Sequence, residues 1–378
     1  MTRRTTIFAI FILYAAMMGA SFARLPEVQA RLMLSEGVFG LVLLAMPAGI
    51  LVGSVLIPPY MYRWGTLRVI RLSFVTGCLG STLAMVAPSA LALASALFVT
   101  ILAMNILNIA VNLEADRAEA VADRPLMNRA HGFWALSFLI MSVLSVGIIA
   151  AGIAPVIHLA VAGALCATGM LALLVHYGAA PRRSTSRTKA RRFARPTWPV
   201  ILIMGFAISG IAMEWGTRNW GIIFARDIFD APDAVAAVML PCLLAAQTFA
   251  RFRADAWIAR WGERRVVTTM LILTAAGLFA VAVGPTMAFA LAGFAMIGVG
   301  MSITQPMSFS LAAQAPGDPS ENLAGLALLQ TVVVFVIPIG FATIAELFGL
   351  RVAFASFLIF PAASALFTRH LYPKAQPA

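Results

Sequence analysis

Charge is what this chain has least of. Only 11% of its 378 residues are charged, while 61% are hydrophobic. Soluble domains carry about 25% charge, so an ordinary globular enzyme or binding domain is excluded. Carboxylates are scarcer still, with 15 Asp and Glu against 27 Lys and Arg. The three cysteines, Cys78, Cys166 and Cys242, stand in separate apolar runs at no metal or disulfide spacing, so small-residue packing is their expected role. No H-E-x-x-H pair, no Ser–His nucleophile arrangement at helical spacing and no thiol near a base occurs, which argues against an intramembrane enzyme. No phosphate loop occurs either, so no cofactor and no metal are expected, and ATP drive would need a separate subunit.

Long apolar runs are present instead. Runs of about 20 residues are long enough to cross a bilayer, and twelve can be counted: about 6–28, 38–61, 68–87, 91–114, 130–152, 155–177, 199–224, 234–256, 266–284, 287–312, 322–346 and 350–370. The first, preceded by Arg3 and Arg4, has the outline of a signal peptide. Cleavage is not expected, because Tyr14, Met17, Ser21 and Arg24 continue it as a stripe at helical spacing. The +12 net charge is not a nucleic-acid footprint. Of the 27 basic residues, 22 collect on one side of the twelve spans, among them Arg3, Arg4, Arg63, Arg68, Arg71, Arg117, Arg124, Arg129, Arg251, Arg253, Arg260 and Lys374. The other side holds Arg31, Arg226 and Arg351. By the positive-inside rule, both termini are expected in the cytoplasm of a bacterial cell, with the chain in its inner membrane.

The stretch 178–198 is polar, basic and free of hydrophobic periodicity, and reads as a cytoplasmic linker. It separates 1–177 from 199–378, six spans from six. A repeat supports the division. Arg63-Trp64-Gly65 after the second span recurs as Arg260-Trp261-Gly262 after the eighth, each continued as x-x-R-V, at an offset of 197 residues. Under that offset the first span corresponds to the seventh.

Twelve spans, the six-plus-six repeat, the basic middle stretch and the Arg-x-Gly turn together resemble the major facilitator superfamily over the whole chain. The resemblance implies an all-α membrane protein of two six-helix bundles related by pseudo-two-fold symmetry. It also implies that Arg63, Gly65, Asp255, Arg260 and Gly262 belong to turns that stabilise one access state. Pro58 and Tyr62 stand where the family motif has Gly and Asp, and Ala259 fills the acidic position of the second copy. Asn105, Asn108 and Asn112, followed by Glu119, Arg124-Pro125-Leu126-Met127 and His131-Gly132-Phe133-Trp134, resemble the fucose-permease-like branch that includes the rhizopine transport protein. Relatives there often carry Asp at the places of Asn108 and Asn219.

Such folds bind solute near the midplane between their halves. Asn105, Asn108 and Asn112 share one helical face, and their amides suit hydroxyl-rich ligands or, alternatively, glue helices together. Glu214 is the one carboxylate read as lying well inside a span. It serves either as a proton-coupling or substrate-amine site, or as a buried partner of Arg24 or Arg218. Arg24 is expected in an ion pair or in the cavity. Trp134 and Trp220, with Trp215, offer stacking faces, of which one is expected to be used. His131 offers a proton relay or a structural bond to the fourth span. Asn219, Gln305 and Gln330 complete the second half's share.

The function expected is secondary active transport of a small polar organic solute, sugar-like in chemistry, by alternating access, with protons as the coupling ion to test. Efflux of drugs or metabolites, or a non-transporting receptor on the same scaffold, are the alternatives. The expected partners are the solute and the lipid bilayer, and the expected form is a monomer.

Overall fold

The computed structural model describes residues 2–122, 126–181 and 196–371, and no strand occurs among them. Arg124, Lys374 and the basic part of the linker lie outside the described residues. Twelve helical segments are long and apolar enough to cross a membrane. In chain order they are α1 (Arg3–Arg31), α2 (Glu36–Val55), α3 (Thr66–Met85), α4 (Ala90–Val121), α5 (Arg129–Ala150), α6 (Pro155–Val175), α7 (Trp198–Phe229), α8 (Asp233–Trp261), α9 (Glu263–Val283), α10 (Met287–Gln314), α11 (Glu321–Phe348) and α12 (Leu350–Leu371). The helix of α4 runs on well past residue 114, where the apolar run ends. A hydropathy count stops at the first charges, whereas the hydrogen-bond ladder continues through Glu114 and Arg117 to Ala122.

Four of the segments are interrupted, and proline explains each case. The helical hydrogen bonding lapses at Leu44, at Ala237 and Val238, at Ser302 and Ile303, and at Phe357 and Leu358. Pro47, Pro241, Pro306 and Pro361 follow these points by three or four residues. A proline has no N–H for the carbonyl four residues back, and its ring crowds that carbonyl. Pro26 and Pro338 lie inside helices that continue without a break.

The chain divides into two compact units, Met1–Ser186 with Asp233–Ala237, and Arg187–Pro232 with Val238–Ala378. In the first, α1 packs on α5 and α6, α3 on α4 and α6, and α2 on α4. In the second, α7 packs on α11 and α12, α9 on α10 and α12, and α8 on α10. The same pairings therefore recur six helices later. The repeated turns match in backbone detail. Gly65 has φ 77° and ψ 155°, and Gly262 has φ 79° and ψ 149°, a region open to glycine and costly for any residue with a Cβ. Each amide closes the preceding helix, Gly65 on Met61 and Gly262 on Ile258.

The third helix of each unit is also finished in the same way. Arg31 donates to the carbonyls of Met85 and Ala87 at 3.0 and 2.9 Å, and Arg351 to those of Ala282 and Gly284 at 3.0 and 2.9 Å. A guanidinium at a helix C-terminus satisfies open carbonyls and meets the negative end of the helix dipole. Two of the basic residues on the sparsely charged side thus have a structural task. The second unit's core carries an aromatic cluster in which Phe341 and Phe354 lie 5.0 Å apart and Trp220 packs on Phe341 at 5.0 Å.

Candidate functional site

In the first unit, α4 and α5 carry a short polar relay. His131 Nε2 lies 2.9 Å from Asn112 Oδ1, and Asn112 Nδ2 donates to Asn108 Oδ1 at 2.9 Å. The i, i+4 spacing on α4 places the two amides in line. Trp134, one turn along α5 from His131, is half-buried between Tyr14 at 6.0 Å and Phe138 at 5.3 Å. His131 is exposed, with the Phe11 ring 5.2 Å from its own. Asn105 lies elsewhere in role: its Nδ2 donates to Ile50 O and Ser54 Oγ, both at 3.0 Å, and ties α4 to α2.

Arg24 does not face a cavity. It is 1% exposed, and each of its nitrogens has a partner: Nε donates to His158 Nδ1 at 3.0 Å, Nη1 to Glu27 at 2.6 Å and Nη2 to Ile153 O at 2.8 Å. The expectation that it binds solute or pairs with Glu214 is corrected by Glu27, one turn along the same helix. Glu214 is also not the only carboxylate held within a helical span. Glu114 is 1% exposed on α4, where it accepts the Tyr177 hydroxyl at 3.0 Å and the Ala180 amide at 2.7 Å. Tyr177, beyond the end of α6, has its hydroxyl pKa pushed up by burial and by this carboxylate.

The second unit gathers more charge. Arg218 Nη1 pairs with Glu214 at 2.8 Å across one turn of α7, and Arg218 Nη2 reaches Gln247 Oε1 on α8 at 3.4 Å. Glu214 keeps 31% of its side chain exposed, so the pair opens onto space rather than closing into the core. Arg251, one turn beyond Gln247 on α8, lies close enough to interact with both Glu214 and Arg218. The basic-residue count assigned Arg251 to the cytoplasmic side. It sits inside the helix Met239–Trp261, as the eighth span anticipated, and its Nε donates to Ser302 O at 3.3 Å. That carbonyl is free because Pro306, four residues on, has no N–H to give it. A loop-counting rule cannot register this; the arginine and proline are far apart in sequence and meet only in the fold.

Gln305 Nε2 donates to Gln330 Oε1 at 3.2 Å and joins α10 to α11. Gln305 Oε1 and Gln330 Nε2 are buried without partners among the described residues. Exchanging O and N in both amides leaves the same deficit. An unsatisfied buried polar atom costs about 1–3 kcal/mol, so this pair is poised for a further partner. Asn219 donates Nδ2 to Trp215 O at 2.8 Å and is buried, with Oδ1 unpartnered among the described residues. Trp220 is 1% exposed and belongs to the aromatic core, so of the expected stacking faces it is unavailable. In the repeated turns, Arg63 and Asp255 are exposed and have no ion-pair partner among the described residues. Arg260 lies over the Trp261 ring at 5.7 Å.

Twelve helices long and apolar enough to cross a membrane, paired alike in two units with charged side chains in mid-helix, are the architecture of a multi-pass membrane protein. A profile of the Major Facilitator Superfamily matches residues 6–327, and the chain belongs to that family. It is accordingly a transporter and not an enzyme. An uncharacterised transporter of Sinorhizobium fredii is 25% identical over 349 residues, covering 91% of both chains. An uncharacterised MFS-type transporter of Yersinia pestis is 25% identical over 348 residues, covering 90% of this chain and 89% of its own. Among solved structures, a mutant of the nucleoside transporter NupG has a TM-score of 0.81 at 12% identity, covering 98% of this chain and all of its own. A D-xylose–proton symporter has a TM-score of 0.73 at 12% identity, covering 99% of this chain and 97% of its own. At such identities these structures speak for the fold alone.

Proposed function

We propose that the chain is a secondary active transporter moving a small polar organic solute, sugar-like in its hydrogen-bonding groups, across a bacterial inner membrane by alternating access. The observation that carries this reading is the set Glu214, Arg218, Gln247 and Arg251, which holds charge part-way along α7 and α8 and leaves Glu214 open. Charge at that depth is costly unless it faces a wet pathway. Gln305 and Gln330 add amides with unmet hydrogen bonds. Arg24, Asn105 and Trp220 are left out of the site, because their groups are already engaged.

The amides of Gln305 and Gln330, which both donate and accept hydrogen bonds, support a hydroxyl-bearing solute. Glu214 is the proposed coupling group: a proton there would release Arg218. The motifs of α4 and α7 support placement in the fucose-permease-like branch, and the excess of basic residues on one side supports cytoplasmic termini. Reporter fusions at either terminus test the orientation.

The decisive experiment is a thermal-shift screen of the purified protein against sugars, inositols, amines and organic acids, followed by counterflow of any hit in proteoliposomes. A ligand that binds only the folded form raises apparent stability. Stabilisation with counterflow supports the reading. Stabilisation without flux points to a receptor and refutes it.

A further inference from the structure

The charges within this proposed site do not balance. Glu214 supplies one negative charge; Arg218 and Arg251 supply two positive ones. The Glu214–Arg218 pair closes on itself at 2.8 Å, so the surplus falls on Arg251. Arg251 stands ten residues before the end of its helix at Trp261, about 15 Å along the axis at 1.5 Å per residue.

Its surroundings explain how it is held but not how it is neutralised. Nε is fixed by Ser302 O at 3.3 Å. Among the described residues neither terminal nitrogen has a hydrogen-bond acceptor. Asp255, one turn further along α8, makes no ion pair with it. Arg251 is nevertheless exposed, so its end opens onto space. A permanently charged group with two free parallel N–H donors matches a planar oxyanion in a bidentate pair.

We propose, building on the transporter reading, that the solute is an anion. Its carboxylate or phosphate group sits on the terminal nitrogens of Arg251, with Arg218 as a second cation held in place by Glu214. The hydroxyl-bearing remainder of the solute faces Gln247, Gln305 and Gln330. Pro306 takes part indirectly, because the carbonyl it frees orients the guanidinium.

The test uses the full-length protein in detergent with four matched probes: glucose, glucosamine, glucuronate and glucose 6-phosphate. Glucuronate or glucose 6-phosphate should raise the melting temperature, and glucose and glucosamine at equal concentration should not. Which of the two anions is preferred separates a carboxylate solute from a phosphate one. Arg251→Gln should weaken the anion at least about tenfold, as expected for loss of a charge-assisted hydrogen bond. Arg251→Lys, which keeps charge but not the fork, should fall between, and it serves as the test if the glutamine variant does not fold. Arg253→Gln, an exposed arginine of the same helix outside the site, should bind like the parent. Equal binding of neutral or cationic probes, no response to either anion, or anion binding untouched by both Arg251 variants would overturn the proposal. Counterflow separates the two readings. Flux of a neutral sugar only would keep the transporter and sink the anion site, whereas Arg251-dependent anion binding without flux would do the reverse.

Discussion

Arg24 offers the sharpest test of the difference between a structural and a solute-binding charge. Arg24→Met removes three donors at once, leaving His158 Nδ1, Ile153 O and the Glu27 carboxylate without them. Removing one partner of a buried ion pair costs about 3–5 kcal/mol. Glu27 retains 20% exposure, so water recovers part of its solvation and the lower end applies, about 3 kcal/mol. The two neutral acceptors lead to a similar figure, at roughly 1–3 kcal/mol for each group left unsatisfied. For a unit of this size, 1 kcal/mol moves the melting temperature by about 2–4 °C, so a fall of roughly 6–12 °C is expected in detergent, followed by tryptophan fluorescence. Arg24→Met combined with Glu27→Leu should recover part of the loss, because replacing both members of such a pair with apolar groups is often nearly neutral. The non-additivity of that cycle, expected at 0.5–3 kcal/mol in size, measures the pair directly. An unchanged melting temperature in Arg24→Met, with solute affinity lost instead, would refute the structural assignment and return Arg24 to the binding site.

Three further outcomes are expected. Gly65→Ala and Gly262→Ala should each destabilise by about 1–3 kcal/mol from the positive-φ extended backbone alone, since a Cβ at either meets nothing within 4 Å; Gly132→Ala, equally uncrowded and without a positive φ, is the control for a thermal melt. Gly293→Ala would place its Cβ 2.7 Å from Gly277 O and from Val281 Cγ2, and should cost about 1–3 kcal/mol by forcing α9 and α10 apart; a melt equal to the parent's would mean the two helices cross less closely. Glu214→Gln in proteoliposomes should abolish solute accumulation driven by a pH gradient while sparing counterflow, and retained accumulation would end the proton-coupling proposal.

The fold was legible because lipid makes it so. With no water to satisfy backbone groups, apolar segments of sufficient length have to be helices, and the twelve follow from hydropathy. The Arg-Trp-Gly repeat announced the pairing of helices across the two units, and Gly65 and Gly262 confirm it with nearly equal φ and ψ. Within the site, helical periodicity correctly placed Asn108 with Asn112 and Glu214 with Arg218, since those contacts lie one turn apart on single helices. The His131 bond to α4 was named as a prospect and is present, whereas the contact between Gln305 and Gln330 emerged only in the structure.

What the sequence could not supply are contacts between distant residues. Arg251 lay inside the eighth span, but its bond to Ser302 joins positions some fifty residues apart. Arg24 was expected in an ion pair or in the cavity, but its partners His158 and Ile153, like Tyr177 for Glu114, lie far along the chain and could not be named. Sequence alone determined the number of helices, the repeat and which residues share a face, because these depend on period and length. Only the tertiary structure decided which way each face turns. That rotation is set by the close packing of neighbours and the matching of buried charges, and it is what makes Arg24 a strut and leaves Arg251 open.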